Sequence, residues 1–190
     1  FFFKQKTAYE IPKRDWSSDV CSSDLGQLVL VRTAALLRRA YAPLAIDRAK
    51  GEVEILAAEP WRAGEALDVA GPAGTAFVVG RATANLLLIA SGSGIAPLRA
   101  LAEQESARRN VTLVMAGRTL RDLWPASALP PDVEYVTVTE DGSFGVKGSL
   151  VDAVRPLLPW ADQIFVSGPQ ATIASLAALR AEAVRASAVR

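Results

Sequence analysis

Histidine is absent from this chain of 190 residues, and cysteine occurs once, at Cys21. The missing histidine excludes a Ser-His-Asp triad and any zinc site that needs a histidine ligand. Beyond Cys21 there is no thiol, so the rest of the chain can form neither a disulfide nor a cysteine nucleophile. If the chain carries out a reaction, we expect a bound cofactor to supply the reactive group.

Long apolar runs and a strong charge of either sign are also missing. No stretch reaches the roughly 18 apolar residues that a membrane span requires, and 21 basic residues nearly balance 20 acidic ones. The basic residues are dispersed, unlike the clustered patches that bind nucleic acid. We therefore expect a cytoplasmic protein that neither spans a membrane nor binds nucleic acid.

The first 25 residues, Phe1 to Leu25, show neither a helical nor a strand-like apolar period. They repeat Ser-Ser-Asp on either side of Cys21, and the only methionine of the chain is Met115. The stretch resembles the translation of a sequencing adapter, with a native tail lacking order as the alternative. We expect an artefactual, disordered leader over 1–25 and begin the fold prediction at Gly26.

Short apolar segments broken by glycine, proline and charge follow the leader. They predict a small antiparallel sheet or part of a barrel. The predicted strands are Gln27–Val31, Leu44–Ile46, Val53–Ala57 and Ala66–Val69. The residues Ala49-Lys50-Gly51 suit a hairpin turn between two of them.

From Asn85 onward, strands alternate with helices, and this alternation predicts a doubly wound parallel sheet. The predicted strands are Leu86–Ala90, Val111–Ala116, Val133–Val138 and Gln163–Val166, and the predicted helices are Ala96–Arg108, Ser149–Leu158 and Ala171–Ala188. Composition and periodicity both change near Gly80–Ala84, where we place the domain boundary.

A glycine loop directly follows the first of these buried strands. Gly92, Ser93 and Gly94 allow a ligand to approach the backbone closely, and a helix begins a few residues later with Pro97 in its first turn. The free N–H groups and the positive end of that helix suit a pyrophosphate. The alternative is an ordinary tight turn with a proline at the start of a helix.

Two further loops follow parallel strands. Ser167, Gly168 and Pro169 come at the end of the last strand, on the edge where ligands of open α/β sheets bind. Gly117 and Arg118 follow the second strand, where an adenosine ribose would lie, and Arg118 or Arg121 could meet a ribose hydroxyl or a 2′-phosphate. The alternatives are a plain strand-to-helix connection and a capping box formed by Thr119 and Asp122.

The fourth loop runs from Thr139 to Gly148 and contains Asp141 and Gly142. The acidic pair Glu140-Asp141 suggests catalysis, but a solvated loop is the favoured interpretation. Ser149 and Asp152 have the spacing of a second capping box.

In this order the loops GSGIAP, AGRTLRDL, EDGSFGVKG and FVSGP resemble the pyridine-nucleotide domain of the ferredoxin-NADP reductase superfamily. The fourth loop, with the sequence EDGSFGVKG, is most similar to the corresponding loop of the electron-transfer subunit of dihydroorotate dehydrogenase. Arg39-Ala40-Tyr41-Ala42 resembles that family's flavin-binding Arg-x-Tyr-Ser/Thr, and Gly71-Pro72-Ala73-Gly74 resembles the start of its GP-x-G-x-x-F segment.

The resemblance implies a truncated FAD-binding β-barrel over 26–80 and an NAD(P)-binding α/β domain over 81–190. NADH would bind over Gly92–Gly94 with its nicotinamide near Gly168-Pro169. Arg39 would contact a flavin phosphate and Tyr41 the isoalloxazine. Electrons would pass from NAD(P)H through FAD and a [2Fe–2S] cluster to a catalytic dehydrogenase subunit of pyrimidine biosynthesis. The cofactor-binding residues that this implies also include Ile95, Pro97, Gly117, Arg118, Asp141, Gly142, Ser167, Gly71, Pro72 and Gly74.

The sequence also departs from the family. The flavin-binding Gly-x-Gly-Thr segment is missing between Ala57 and Gly64, Ala42 replaces a hydroxyl-bearing residue, and Ser167 replaces a cysteine. The family's last strand and its cysteine-rich cluster loop do not occur before Arg190, so this chain cannot ligate the [2Fe–2S] cluster. Two alternatives remain: a non-catalytic nucleotide-binding or interaction module, and another reductase of the superfamily, such as a sulfide dehydrogenase or hydrogenase subunit.

Overall fold

The computed structural model describes residues 26–32, 38–47, 49–50, 52–56 and 67–188. The predicted leader 1–25 lies outside the described residues, as does the segment 57–64, where the family's flavin-binding glycines would fall. The chain divides into two compact units, with the break between Val78 and Val79.

The first unit is built from antiparallel strands. They are β1 (Leu28–Arg32), β2 (Arg38–Tyr41), β3 (Pro43–Asp47), β4 (Glu52–Ile55) and β5 (Asp68–Ala73). One sheet has the order β2-β1-β5, and β3 pairs with β4 as a hairpin. These antiparallel sheets confirm the prediction of part of a β-barrel for this region.

Alternating valines form the core of the first unit. Val29 and Val31 of β1 are each 1% exposed and cluster with Val53 and Val69, because every second side chain of a strand faces the same side. At the predicted hairpin turn, the Asp47 carboxylate accepts hydrogen bonds from the backbone N–H groups of Ala49 and Lys50. Strand β2 is not among the predicted strands. Its residues carry the motif that resembles a flavin-binding segment, and the sequence predicted no strand for them.

The second unit contains the alternating strands and helices. They are β6 (Asn85–Ser91), α1 (Ile95–Glu105), β7 (Asn110–Gly117), β8 (Val133–Thr139), β9 (Val146–Lys147), α2 (Leu150–Val154), β10 (Gln163–Ser167) and α3 (Gln170–Ala188). All neighbouring strands are parallel, in the order β10-β6-β7-β8-β9. The predicted strands therefore pair as a parallel sheet.

Helices cover both faces of this sheet. Leu87 and Ile89 of β6 belong to a cluster that includes Val154 of α2 and Leu176 of α3. The intervening Leu88 points to the opposite face, as strand geometry requires, and α1 packs along β6, β7 and β10. Because both faces are covered, β6 is apolar throughout its buried centre. The prediction of a doubly wound α/β sheet is confirmed.

Two helices are shorter than the sequence predicted. Helix α2 ends at Val154 and continues as a 3-10 turn over Arg155–Leu157, where Pro156 has no N–H to donate to an α-helical hydrogen bond. Helix α1 ends at Glu105, whose carbonyl accepts hydrogen bonds from the N–H groups of Arg108 and Arg109 in the turn that follows.

Candidate nucleotide-binding site

The strand order of the second unit reverses beside β6. From β6 the chain proceeds to β7 and β8 on one side, then returns to place β10 on the other side. The carboxyl ends of β6 and β10 are therefore adjacent at a topological switch point, which is where open α/β sheets bind ligands. The predicted glycine loops follow these two strands.

The two glycine loops are in contact. A β-carbon added to Gly94 would come within 2.1 Å of the Ser167 carbonyl oxygen, so only glycine allows this approach. A β-carbon added to Gly168 would lie 3.2 Å from the side chain and the carbonyl oxygen of Ser91. The structure therefore brings the predicted residues Gly92–Gly94 and Ser167–Gly168 together at one edge, where Pro169 is exposed.

The first glycine loop leaves its backbone open. Gly92–Gly94 form a 3-10 turn that leads directly into α1. Gly92 is exposed, has a φ of 57° and faces open space, so a ligand can approach its backbone. Ile95 is 1% exposed and Pro97 is buried, so their side chains pack into the core. Any contact between Ile95 and a ligand would involve its backbone.

A cleft of about 730 Å³ opens at the carboxyl edge of the sheet. Its size falls within the range typical of small-molecule and cofactor sites. It is lined by the ends of β6, β7 and β8 and by the first turns of α2 and α3. The lining residues are Ser91, Gly92, Ala116, Gly117, Arg118, Asp122, Val138, Glu140, Gly148, Ser149, Leu150, Val151, Ala171, Thr172, Ser175 and Leu176.

Arg118 is held at the rim of this cleft by its neighbours. The Asp122 carboxylate accepts hydrogen bonds of 3.0 Å from the backbone N–H groups of Arg118 and Thr119. The Thr119 hydroxyl in turn accepts a hydrogen bond from the backbone N–H of Arg121, and this completes the predicted capping box. The Arg118 side chain is exposed and has no ion-pair partner among the described residues. It can therefore contact an anionic or hydroxyl-bearing ligand.

Hydrogen bonds within the fourth loop account for the acidic residue Asp141. The side chain and backbone of Ser143 donate hydrogen bonds that lower the pKa of the Asp141 carboxyl. Asp141 and Gly142 are exposed and do not line the cleft. The Ser149 hydroxyl accepts a hydrogen bond from the Asp152 N–H at the start of α2, which is the N-cap half of the predicted capping box, and it donates to the Asp152 carboxylate at 2.6 Å. This geometry supports the interpretation as a solvated loop.

The predicted flavin residues of the first unit share one strand face. Arg39 and Tyr41 are opposite Val31 and Val29, respectively, so both lie on the side of β2 that carries the valine core. Tyr41 packs against this core, and its burial raises the pKa of the phenol despite the opposing positive charge of Arg39.

The glycine segment of the flavin motif lies at the end of β5. Gly71 and Pro72 belong to the strand, and Gly74 follows it with a φ of 85°, which favours glycine. The Gly74 carbonyl oxygen accepts a hydrogen bond from the Gln27 side chain at 3.3 Å. This bond ties the segment to the residue preceding β1.

Sequence analysis missed several residues that line the cleft. Thr172 and Ser175 lie in the first turns of α3, and their place after the Gly168-Pro169 loop was the signal that could have identified them. Glu140, interpreted as part of a solvated loop with catalysis as the alternative, is exposed and lines the cleft near the Arg118 loop.

No group of three or more acidic residues suited to binding a metal occurs within the part of the chain that the structure describes. Within the same residues, no helix is long and apolar enough to cross a membrane.

Comparison with known proteins agrees with this architecture. No protein-family model matches the chain. The chain is 29% identical over 168 residues to the electron transfer subunit of dihydroorotate dehydrogenase B (NAD(+)) from Geobacillus kaustophilus, a match that covers 80% of this chain and 65% of the relative. The subunit of the same name from Desulforamulus reducens is 27% identical over 177 residues, which cover 83% of this chain and 67% of the relative. The chain thus spans about two thirds of the length of these relatives.

Solved structures share the fold. The ferredoxin reductase of carbazole 1,9a-dioxygenase superposes with a TM-score of 0.71 at 22% identity, covering 84% of this chain and 57% of that chain. The predicted resemblance is therefore confirmed: the chain is similar in sequence to dihydroorotate dehydrogenase electron-transfer subunits and has the fold of the ferredoxin-NADP reductase superfamily.

Proposed function

We propose that this chain is a flavin-dependent NAD(P)H oxidoreductase subunit of the dihydroorotate dehydrogenase electron-transfer type. The contact between the Gly94 and Ser167 loops at the switch point, beside a cleft of about 730 Å³, is the observation that carries the proposal. The similarity to the Geobacillus kaustophilus subunit supports NADH as the reductant. Arg118 and Arg121 are both exposed, so NADPH is the coenzyme to compare with NADH.

In this proposal the second unit binds and orients the nucleotide. The backbone of Gly92–Gly94 faces the pyrophosphate, and the N-terminus of α1 contributes positive potential. Gly117 and Arg118 are placed to contact the adenosine ribose at the end of β7. In the same proposal Gly168 and Pro169, at the end of β10, contact the nicotinamide, while Asp141 and Gly142 support the loop beside Arg118.

The described residues of the first unit fit a flavin. An arginine and a tyrosine two residues apart on one strand face can bind a phosphate and cover an aromatic ring, respectively. Gly71, Pro72 and Gly74 offer a short backbone segment beside β1 for the same cofactor. FAD, when bound, supplies a carrier that accepts a hydride and releases electrons singly. The protein contributes binding and orientation.

The proposed partner is a catalytic dehydrogenase subunit, and the proposed location is the cytoplasm. The name of the relatives supports this partner. Cys21 is the only cysteine of the chain, so its residues do not supply the thiolates of a [2Fe–2S] cluster. The cluster would therefore be ligated by residues that this sequence does not contain.

An anaerobic NADH titration of the chain reconstituted with FAD tests the proposal. We expect stoichiometric NADH to bleach the flavin absorbance, and NADPH to act only at higher concentration. A Tyr41→Ala variant should retain less FAD on a desalting column, while a Tyr135→Phe variant in the other unit should retain as much as the unaltered chain. Flavin that is retained but not reduced would refute electron transfer from the nucleotide.

A non-catalytic nucleotide-binding module is the second candidate. It is favoured by Ala42, which offers no hydroxyl to a flavin. If the chain binds NADH but loses FAD on desalting, and Ala42→Ser does not restore retention, this second function replaces the first.

A further inference from the structure

The Arg118 loop is connected to the fourth loop by three hydrogen bonds. The backbone N–H of Glu140 donates to the Gly117 carbonyl oxygen at 3.2 Å, and that of Asp141 donates to the Arg118 carbonyl oxygen at 3.2 Å. The third bond involves a side chain: the Leu120 N–H donates to the Ser143 hydroxyl oxygen at 2.8 Å. The two loops therefore form one hydrogen-bonded assembly at the rim of the cleft.

Ser143 is itself fixed within the fourth loop. Its backbone N–H donates to the Asp141 carboxylate at 2.9 Å. The next residue, Phe144, exchanges hydrogen bonds with the side chain of Thr139, which is fully buried at the end of β8. The Ser143 hydroxyl, which binds the exposed turn, is thus adjacent in the chain to a residue that is fixed to a buried strand end.

Within its own turn, the Arg118 loop is held by the capping interactions of Asp122 and Thr119. Leu120 opens the 3-10 turn that follows, and its N–H is one of the donors that such a turn leaves without an internal partner. Removing the Ser143 hydroxyl would leave this donor to water. The fourth loop would then hold the Arg118 loop through two backbone bonds, those donated by Glu140 and Asp141, and no longer through a bond to its 3-10 turn.

We propose that Ser143 is a positioning residue that holds the Arg118 loop in the geometry required for nucleotide binding. Ser143 does not line the cleft, so its effect passes through Leu120 and Arg118. The inference rests on the proposed function, because it assumes that the cleft binds the adenosine end of a pyridine nucleotide. In this role Ser143 affects the affinity for the coenzyme and takes no part in the reaction.

Calorimetric titration of the full chain with ADP-ribose, and separately with NADH, tests this inference. ADP-ribose carries the adenosine and pyrophosphate without the redox-active ring. Since one neutral hydrogen bond contributes about 0.5–1.5 kcal/mol, we expect Ser143→Ala to raise the Kd about two- to twelvefold. Ser143→Thr keeps a hydroxyl and should restore most of the affinity. Ser127→Ala, an exposed serine of a neighbouring 3-10 turn, serves as the matched control.

A double-mutant cycle with Arg118→Ala separates positioning from a direct contact. If Ser143 acts through Arg118, Ser143→Ala should change the Kd little once Arg118 is removed. An equal loss in both backgrounds, or no loss in either, would overturn the inference while leaving the proposed function intact. If the unaltered chain binds neither ligand, the proposed function fails and the inference fails with it.

Amide hydrogen exchange gives a readout that needs no ligand. Ser143→Ala should accelerate exchange at the Leu120 N–H, while exchange at Val114 in β7 should remain unchanged. Unchanged exchange at Leu120 would contradict the hydrogen bond on which the inference depends. Faster exchange at both positions would indicate general destabilisation and would likewise overturn a specific positioning role.

Discussion

Gly94 is the residue on which the contact between the two glycine loops depends most directly. Because an added β-carbon would come within 2.1 Å of the Ser167 carbonyl oxygen, Gly94→Ala requires a backbone shift in one of the loops. We expect a loss of about 2–3 kcal/mol in the free energy of unfolding and a large loss of ADP-ribose affinity. Thermal unfolding and calorimetric titration measure the two effects.

Gly80→Ala is the matched control for this substitution. There the nearest atom to an added β-carbon is the end of the Thr83 side chain, at 3.1 Å, which can move. A Gly94→Ala variant that melts and binds like Gly80→Ala would show that the loops do not meet as described.

Glu105 and Arg109 form an ion pair that is nearly buried. Their charged groups approach to 2.6 Å, the Glu105 side chain is 8% exposed, and Arg109 also donates to the Thr83 carbonyl oxygen. Arg109→Ala would leave the Glu105 carboxylate without its cation. We expect the free energy of unfolding to fall by about 3 kcal/mol in urea denaturation.

The neighbouring Arg108 provides the comparison. Its side chain is exposed and makes no ion pair among the described residues, so Arg108→Ala should change the free energy of unfolding by less than about 0.5 kcal/mol. Equal effects of the two substitutions would argue against a special role for the Glu105–Arg109 pair.

At the scale of single residues, the sequence predicted what depends on local spacing. The capping interactions of Thr119 with Asp122 and of Ser149 with Asp152 both appear in the structure, because they need only neighbours three positions apart. The Leu120–Ser143 bond and the place of Thr172 in the cleft were not predicted. They depend on how distant loops meet, which no local pattern specifies.

At the scale of whole elements, Asp162, which directly precedes β10, connects the start of that strand to the start of β6 by hydrogen bonds. Its carboxylate accepts hydrogen bonds from Asn85 at 2.8 Å and from Ala84 at 2.9 Å. These bonds hold the pKa of Asp162 below its ordinary value. The unfolded chain therefore binds more protons at low pH than the folded one, and the stabilisation is lost as pH falls through the folded-state pKa.

We expect Asp162→Asn to lower Tm at neutral pH, because the amide accepts these bonds less strongly than a carboxylate. The difference in Tm from the unaltered chain should shrink as pH falls below about 4, in thermal unfolding followed by circular dichroism. Asp132→Asn, an exposed acid, is the control and should show little change. A difference that is constant with pH would contradict the role of the carboxylate.

The sequence predicted the bounds of strands that are rich in apolar residues. It did not predict a strand whose conformation depends on pairing with another strand. Strands β6, β7 and β8 agree with their predicted ranges within one residue at each end. For β6 the reason is that a strand buried on both faces must be apolar, whereas β8 carries an exposed Glu134. Strand β2 was not predicted because Arg38-Arg39-Ala40-Tyr41 has no apolar alternation. Its pairing with β1 determines its conformation.

At the scale of the whole molecule, nucleotide binding should be confined to the second unit. We expect saturating ADP-ribose to slow amide exchange in residues 91–97 and 167–172, which meet at the switch point, and to leave β1 and β5 unchanged. Hydrogen-exchange mass spectrometry measures this directly. Protection in β1 and β5 with none at 91–97 would place the ligand in the wrong unit and refute the site.

The placement of β10 beside β6 has a consequence for synthesis of the chain. A nascent chain that has left the ribosome only as far as β8 already contains β6, β7 and their pairing, but one edge of β6 has no partner. That edge belongs to a strand whose central residues are at most 1% exposed in the finished fold, so it is an attractive template for other strands until Gln163–Ser167 emerge. Ribosome pausing between Thr139 and Gln163 should therefore promote aggregation, and pausing after α3 should not.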